Sequence, residues 1–338
     1  MATIAVLNAG GWGTALAVVL ARAGHEVRLW ARRAEQATLL AEARQNEAYL
    51  PGVTLEPAIR PTADLAEAVT GCAAVVMVPI SAAIRELARQ VAPLLPDDAL
   101  VVHGTKGLER ETLLRLSEVV ESELRPAHRG RVAVLSGPTH AEEVGRGIPA
   151  AAVVASPNHA SAAALQAILS GPIFRVYTNA DVVGVELCGA LKNVVALATG
   201  VGDGLGGGDN ARAALMTRSL AEIGRLVAAA GGQADTVAGL AGIGDLIATC
   251  TSRHSRNRRA GEQIGRGVPL EQVLSESRQV VEGVPAARAA LALAQQYGVS
   301  MPIVEQANAV LFAGRDPRAA MAELMARDPT AERWGRVP

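Results

Sequence analysis

Lysine is almost missing from this chain: of its 338 residues 32 are Lys or Arg, and only Lys106 and Lys192 are lysines. Aromatic residues make up just 2%, so Ala, Val and Leu must fill the core and few side chains remain on which bases could stack. An excess of one charge is missing too. The formal net charge of −1 and a pI near 6.6 give no basic field for nucleic acid or an anionic membrane. Three widely spaced cysteines, Cys72, Cys188 and Cys250, show no CxxC spacing, which argues against a disulfide framework or a zinc site and for reduced thiols. No long apolar run survives uninterrupted. The most apolar stretch, Val182 to Val201, contains Glu186, Lys192 and Asn193, whereas crossing a bilayer takes about 20 nearly uncharged residues. The first apolar run, Thr3 to Leu7, has no basic segment or small-residue cleavage site before it. A soluble cytoplasmic protein is expected, with neither nucleic acid nor membrane as partner.

Half of the residues are hydrophobic and 19% are charged, enough for a sizeable core. The length suggests two domains at about 150 residues each. Strand patterns fall at Ile4–Leu7, Glu26–Trp30, Ala74–Val78, Leu100–His103, Val132–Leu135, Ala151–Ala155 and Phe174–Tyr177. Helical patterns lie between them at Thr14–Ala23, Ala34–Arg44, Ser81–Ala92, Thr112–Glu123 and His159–Leu169. This alternation predicts an α/β fold with a mostly parallel, doubly wound sheet. From about Asp181 the strand signal stops and Ala/Leu/Val segments with helical spacing take over. The expected organisation is a Rossmann-type domain over 1–180 and an all-helical domain over 181–338.

The first strand runs into Asn8-Ala9-Gly10-Gly11-Trp12-Gly13 and then a helix. This is a GxGxxG turn with Asn in the first glycine position. Its second glycine lets backbone approach a pyrophosphate and its third allows close helix–strand packing. The helix N-terminus adds unpaired N–H groups and a positive dipole. Asn8 is a mild departure, because Asn tolerates positive φ well. The second strand ends Trp30-Ala31-Arg32-Arg33 without the acid that would bind a ribose 2′-hydroxyl. Arg32 and Arg33 therefore predict acceptance of NADP(H) alongside NAD(H); the alternative is a solvated helix start.

The two lysines stand in suggestive places. Arginine never loses its proton, but lysine does so readily when buried, so a proton-transferring site can use only the latter. Lys106 lies in Gly104-Thr105-Lys106-Gly107, directly after a strand, where parallel sheets bind ligands. Lys192 lies in Cys188-Gly189-Ala190-Leu191-Lys192-Asn193. A helical side chain leans over the preceding turn, so apolar neighbours there would lower its pKa. Further on, Arg253-His254-Ser255-Arg256-Asn257-Arg258-Arg259 packs four arginines into seven residues. That cluster suits a phosphate ester or a solvated face.

Taken in order, these segments resemble one family, the bacterial NAD(P)-dependent glycerol-3-phosphate dehydrogenases. The resemblance rests on Trp12-Gly13-Thr14-Ala15-Leu16-Ala17, Tyr49-Leu50-Pro51-Gly52, Thr105-Lys106-Gly107-Leu108 and Ser136-Gly137-Pro138-Thr139. It continues through Lys192-Asn193, Gly242-Ile243-Gly244-Asp245-Leu246, Ser255-Arg256-Asn257-Arg258-Arg259 and Val280-Val281-Glu282-Gly283. It implies reversible reduction of dihydroxyacetone phosphate to sn-glycerol 3-phosphate for glycerophospholipid synthesis, in a cytoplasmic homodimer. It implies Lys192 as catalytic acid/base, with Lys106, Gly137, Thr139, Lys192, Asp245, Ser255, Arg256 and Asn257 on the substrate. On the cofactor it implies Gly11, Trp12, Arg32, Arg33, Tyr49, Lys106, Ala141, Arg256, Val280 and Glu282, to which the turn itself adds Gly10 and Gly13. Asn8, Gly11, His140 and Ala260 depart from the family's usual Gly, Ser, Phe and aromatic residue. Two rivals remain: a two-domain dehydrogenase for a 3-hydroxy or sugar acid, and a non-catalytic dinucleotide sensor. No metal is expected.

Overall fold

The computed structural model describes residues 1–277, 280–329 and 332; the last residues of the expected helical domain, 330–331 and 333–338, lie outside that range. Backbone packing divides the chain into two compact units. The first is Met1–Glu109 with Leu114–Val182, and the second is Arg110–Leu113 with the described residues from Val183 onward.

The first unit contains ten strands: β1 (Thr3–Leu7), β2 (Glu26–Trp30), β3 (Gln45–Asn46), β4 (Leu50–Thr54), β5 (Ile59–Thr62), β6 (Ala74–Met77), β7 (Leu100–His103), β8 (Ala133–Ser136), β9 (Ala150–Ala155) and β10 (Phe174–Asn179). Eight form one sheet in the order β10-β9-β8-β7-β6-β1-β2-β5, and β3 and β4 form a separate pair. All neighbours in the large sheet run parallel except β8 and β9. Side chains alternate faces along a strand, and both faces are covered. Ile4 and Val6 of β1 join one buried cluster with Leu16 and Leu20, while Ala5 and Leu7 join another with Ile84 and Leu87. Near-continuous apolar strands such as Ala74-Val75-Val76-Met77 follow from that double burial.

The seven expected strands are all present, with ends shifted by at most two residues. Sequence patterning missed the pair β3–β4 and the edge strand β5, whose Pro61 breaks a strand pattern. Pro is tolerated at a sheet edge, where one side of the strand has no ladder to complete. The helix expected over Thr112–Glu123 begins only at Leu116. Before it, Leu113 takes φ +59° and Leu108 bridges Arg115 in antiparallel fashion, a local closure that displaces the first helical turn.

Beyond Val183 the described residues of the second unit form helices joined by turns and loops, with no strand among them. Its longest helix, Val182–Gly204, is apolar enough by length and composition to cross a membrane, yet 89% of its most apolar window is buried within the protein. It is largely covered by the rest of the protein, and a helix covered nearly all round needs no polar face. The three cysteines are buried. Burial pushes the Cys72 and Cys250 thiols up to about 11, so they stay protonated and unreactive.

Glu222, on the Gly208–Ala229 helix, is 5% exposed. It accepts a hydrogen bond from the Ile303 amide at 3.0 Å, in the first turn of the Pro302–Phe312 helix. Burial raises its carboxyl from 4.5 to about 7, against the opposing effects of that amide and Arg225; Glu305 adds to the rise. The protonated form is favoured in the fold, so this stabilisation is complete below pH 4.5 and is lost as pH rises through 7. In Glu222→Gln the amide contact persists without ionisation. The stability difference between wild type and variant is expected to move against wild type by about 3 kcal/mol from pH 4.5 to pH 8. Urea unfolding across that range reads it, and parallel profiles would refute it.

Candidate active site

In the first unit, the glycine turn is shaped by three contacts. Asn8 takes φ +99°, the conformation expected of the missing first glycine, and its Nδ2 donates to the Val78 carbonyl at 3.0 Å. Gly10 caps the Gly11–Arg22 helix without a side-chain hydrogen bond, so the first-turn amides are left for a ligand or water. A Cβ at Gly11 would stand 2.8 Å from the Tyr49 carbonyl oxygen, and one at Gly13 would overlap the Asn8 carbonyl. Trp12 stacks obliquely on Phe174 at 6.5 Å. A bare helix start with backbone approached this closely fits a pyrophosphate.

Asn46 is a residue that sequence reasoning missed. Buried on β3, it donates to the Ala9 carbonyl at 3.0 Å and to Thr14 Oγ1 at 2.7 Å. Gln36 Nε2 reaches the same Ala9 carbonyl at 2.7 Å. Together they hold the turn open from its outer side, and nothing in a local sequence window signals that. Arg32 and Arg33 are exposed at the end of β2, as expected. Tyr49 is exposed as well, in the turn joining β3 and β4. Ala141 starts the short Ala141–Gly145 helix, and its Cβ lies 3.8 Å from where a Gly11 Cβ would be.

Lys106, Gly137 and Thr139 come together in the same unit. Thr105 Oγ1 donates to the Pro79 carbonyl at 2.8 Å and anchors the loop after β7. Lys106 Nζ donates to the Gly137 carbonyl at 3.2 Å, and Thr139 Oγ1 donates to that same oxygen at 3.2 Å.

The second unit holds the other lysine. Lys192 is 6% exposed on the Val182–Gly204 helix. Its Nζ donates to Asp245 Oδ1 in a buried ion pair and to Thr249 Oγ1 at 2.9 Å; Thr249 in turn bonds Asp245 Oδ1 at 3.3 Å. Asp245 and Thr249 sit one turn apart on the Asp245–Thr251 helix. The carboxylate compensates the buried ammonium and fixes its direction. Thr249, not foreseen from the sequence, was legible as the i+4 neighbour of Asp245.

A second polar cluster joins three segments of this unit. Asn257 Nδ2 donates to Asn193 Oδ1 at 2.9 Å, and Asn257 Oδ1 accepts from the Gly283 amide at 2.9 Å. Asn193 Nδ2 donates to Glu282 Oε2 at 3.3 Å. Ser255 is buried and caps the Arg256–Gly265 helix, accepting from the Arg258 amide at 3.2 Å. Arg256 is exposed and its Nη1 donates to the Val280 carbonyl at 3.2 Å. Ser255 and Asn257 thus spend polar atoms inside the protein, whereas the Arg256 guanidinium stands at the surface. Asn193 stands in the Lys192-Asn193 segment, and no local pattern signals its bonds to Asn257 and Glu282.

Comparison with known proteins decides the family. One family model, the NAD-dependent glycerol-3-phosphate dehydrogenase N-terminus, matches residues 3–162, and another, its C-terminus, matches residues 181–322. The chain belongs to the NAD-dependent glycerol-3-phosphate dehydrogenase family. A glycerol-3-phosphate dehydrogenase [NAD(P)+] of Moorella thermoacetica is 55% identical over 330 residues, covering 98% of this chain and 97% of that protein. One from Bacillus subtilis is 48% identical over 332 residues, covering 98% and 96%. Among solved structures, the glycerol-3-phosphate dehydrogenase of Coxiella burnetii superposes with a TM-score of 0.90 at 42% identity, covering 96% of this chain and 99% of that one. The matched ranges contain both the glycine turn and the Lys192–Asp245 pair.

Proposed function

We propose that the protein catalyses reversible hydride transfer between NAD(P)H and dihydroxyacetone phosphate, forming sn-glycerol 3-phosphate for glycerophospholipid synthesis. The observation that carries this reading is the buried Lys192–Asp245–Thr249 cluster in a chain of this family. A ketone becoming an alcohol needs a proton at its oxygen, and a positioned acid supplies it. Lys192 donates that proton, and in the reverse direction takes it back. Asp245 and Thr249 hold its Nζ in one place, which limits the loss of orientation on each turnover.

The phosphate end of the substrate is assigned to Arg256, with Ser255 and Asn257 beside it in the second unit; Lys106, Gly137 and Thr139 of the first unit are assigned to the substrate as well. Guanidinium–phosphate pairs are charge-assisted and directional, and binding energy gained there orients the distant carbonyl. Residues 1–180 hold the cofactor and residues 181–338 carry the proton-transfer chemistry. When bound, the nicotinamide supplies the hydride. Gly10, Gly11, Trp12 and Gly13 would receive the pyrophosphate, and Arg32 and Arg33 a 2′-phosphate. Tyr49, Lys106, Ala141, Arg256, Val280 and Glu282 complete the cofactor assignment. The protein is placed in the cytoplasm as a homodimer without membrane insertion.

Consumption of reduced nicotinamide on adding dihydroxyacetone phosphate, followed by absorbance, tests the activity. No consumption with either cofactor would overturn it. Replacing both Arg32 and Arg33 by Ala is expected to raise the KM for NADPH at least tenfold more than that for NADH, as loss of about 1.4 kcal/mol or more of selective binding requires. An equal loss for both cofactors would remove the 2′-phosphate role.

A further inference from the structure

The helix carrying Lys192 and the helix carrying Arg256 meet along a seam made of two G-x-x-x-G motifs, Gly200/Gly204 on Val182–Gly204 and Gly261/Gly265 on Arg256–Gly265. A Cβ at Gly200 would overlap the Arg258 carbonyl oxygen, and one at Gly204 that of Glu262. Reciprocally, a Cβ at Gly261 would overlap the Leu197 carbonyl oxygen, and one at Gly265 that of Val201. Each helix therefore lays its backbone directly on the other, a closeness that only small residues allow. Ordinary helix pairs stand 8–10 Å apart.

The register of the seam continues upward. Val201 faces Gly265 and Leu197 faces Gly261; four residues earlier on both helices, Asn193 and Asn257 form their 2.9 Å hydrogen bond. Asn193 adjoins Lys192 and Asn257 adjoins Arg256. Toward the other end of the seam, Asp203 Oδ2 accepts from Arg258 Nη1 at 2.6 Å, and its Oδ1 accepts from Arg212 Nη2 at 2.8 Å. This carboxylate clamps the two helices together where the rungs end.

We propose that this glycine seam is the spacer that sets the separation between the proton donor Lys192 and the phosphate-binding Arg256, and so selects the length of the phosphorylated substrate. The inference rests on the functional reading above. Gly200, Gly204, Gly261, Gly265 and Asp203 act as positioning residues, since they act only through the two helices they join. Widening the seam by about 1 Å leaves Arg256 and Lys192 each intact but mismatched to one substrate, and misplacement of that size costs on the order of 100-fold.

The test uses the whole enzyme with two probes, dihydroxyacetone phosphate as substrate and inorganic phosphate as competitive inhibitor. In Gly261→Ala, kcat/KM for dihydroxyacetone phosphate is expected to fall about 100-fold, while the inhibition constant of inorganic phosphate, which needs no spacing, stays within about twofold. A cooperative thermal transition establishes that the variant is folded. Should it not fold, Asp203→Asn, which adds no bulk to the seam, is read by the same split, with about a tenfold loss for the substrate. Equal losses for both probes, or no loss for the substrate, would overturn the spacer. Arg256→Ala separates this from the reading beneath it: it must weaken phosphate inhibition at least tenfold. If it does not, or if phosphate fails to inhibit the wild type, the phosphate assignment itself fails.

Discussion

Lys192→Arg is expected to lower kcat with dihydroxyacetone phosphate by about 10³-fold, within the range that general acid–base catalysis contributes. The substitution keeps the positive charge, so electrostatic attraction to a carbonyl oxygen would survive it. What it removes is the ability to release a proton and become neutral, because a guanidinium does not deprotonate in proteins. It also disturbs geometry. Lys192 Nζ is one compact donor shared between Asp245 Oδ1 and Thr249 Oγ1, and a planar fork cannot place a single N–H there without displacing one partner. Steady-state kinetics with either nicotinamide cofactor reads the change. Near-normal turnover would show that charge alone suffices and that Lys192 transfers no proton.

The second large effect concerns stability. Asp245→Ala strips the counter-charge from an ammonium whose residue is 6% exposed, and breaking a buried pair in this way costs about 3–5 kcal/mol. The same substitution combined with Lys192→Met should recover part of that loss, since it leaves no buried charge uncompensated, although Ala does not fill the volume of the Asp245 carboxylate. Denaturant unfolding of the two single variants and the double variant completes the cycle. Additive losses would show that Asp245 stabilises through packing alone. Recovery would show that the loss in Asp245→Ala comes from the ammonium left without its counter-charge.

Local patterning made most of the first unit legible. Short runs rich in Val, Leu and Ile between helical stretches are strands, and Glu26–Trp30 and Leu100–His103 match residue for residue. It failed at β5, where Pro61 hides a strand tolerated only because no further strand lies beyond it, and at Leu113, whose positive φ sits inside the loop closed by the Leu108–Arg115 bridge. The Asn8 departure was legible too: the turn demands φ > 0, and Asn meets it at +99°. Asn46 was not, because its partners Ala9 and Thr14 lie more than thirty positions away.

Composition alone singled out Lys106 and Lys192, since in an arginine-rich chain the rare cation that releases a proton stands apart. The order of motifs determined the α/β-then-helical plan and the family resemblance, because strand and helix periodicities are local properties. Tertiary structure decided what each lysine touches. It set Lys106 on the Gly137 carbonyl and Lys192 against Asp245, 53 positions away in sequence. It turned Ser255 and Asn257 inward while leaving Arg256 exposed. It also showed why four scattered glycines matter, since only the packed helices reveal which carbonyl each would strike. Charge compensation and backbone approach act through space, and no local pattern of residues encodes them.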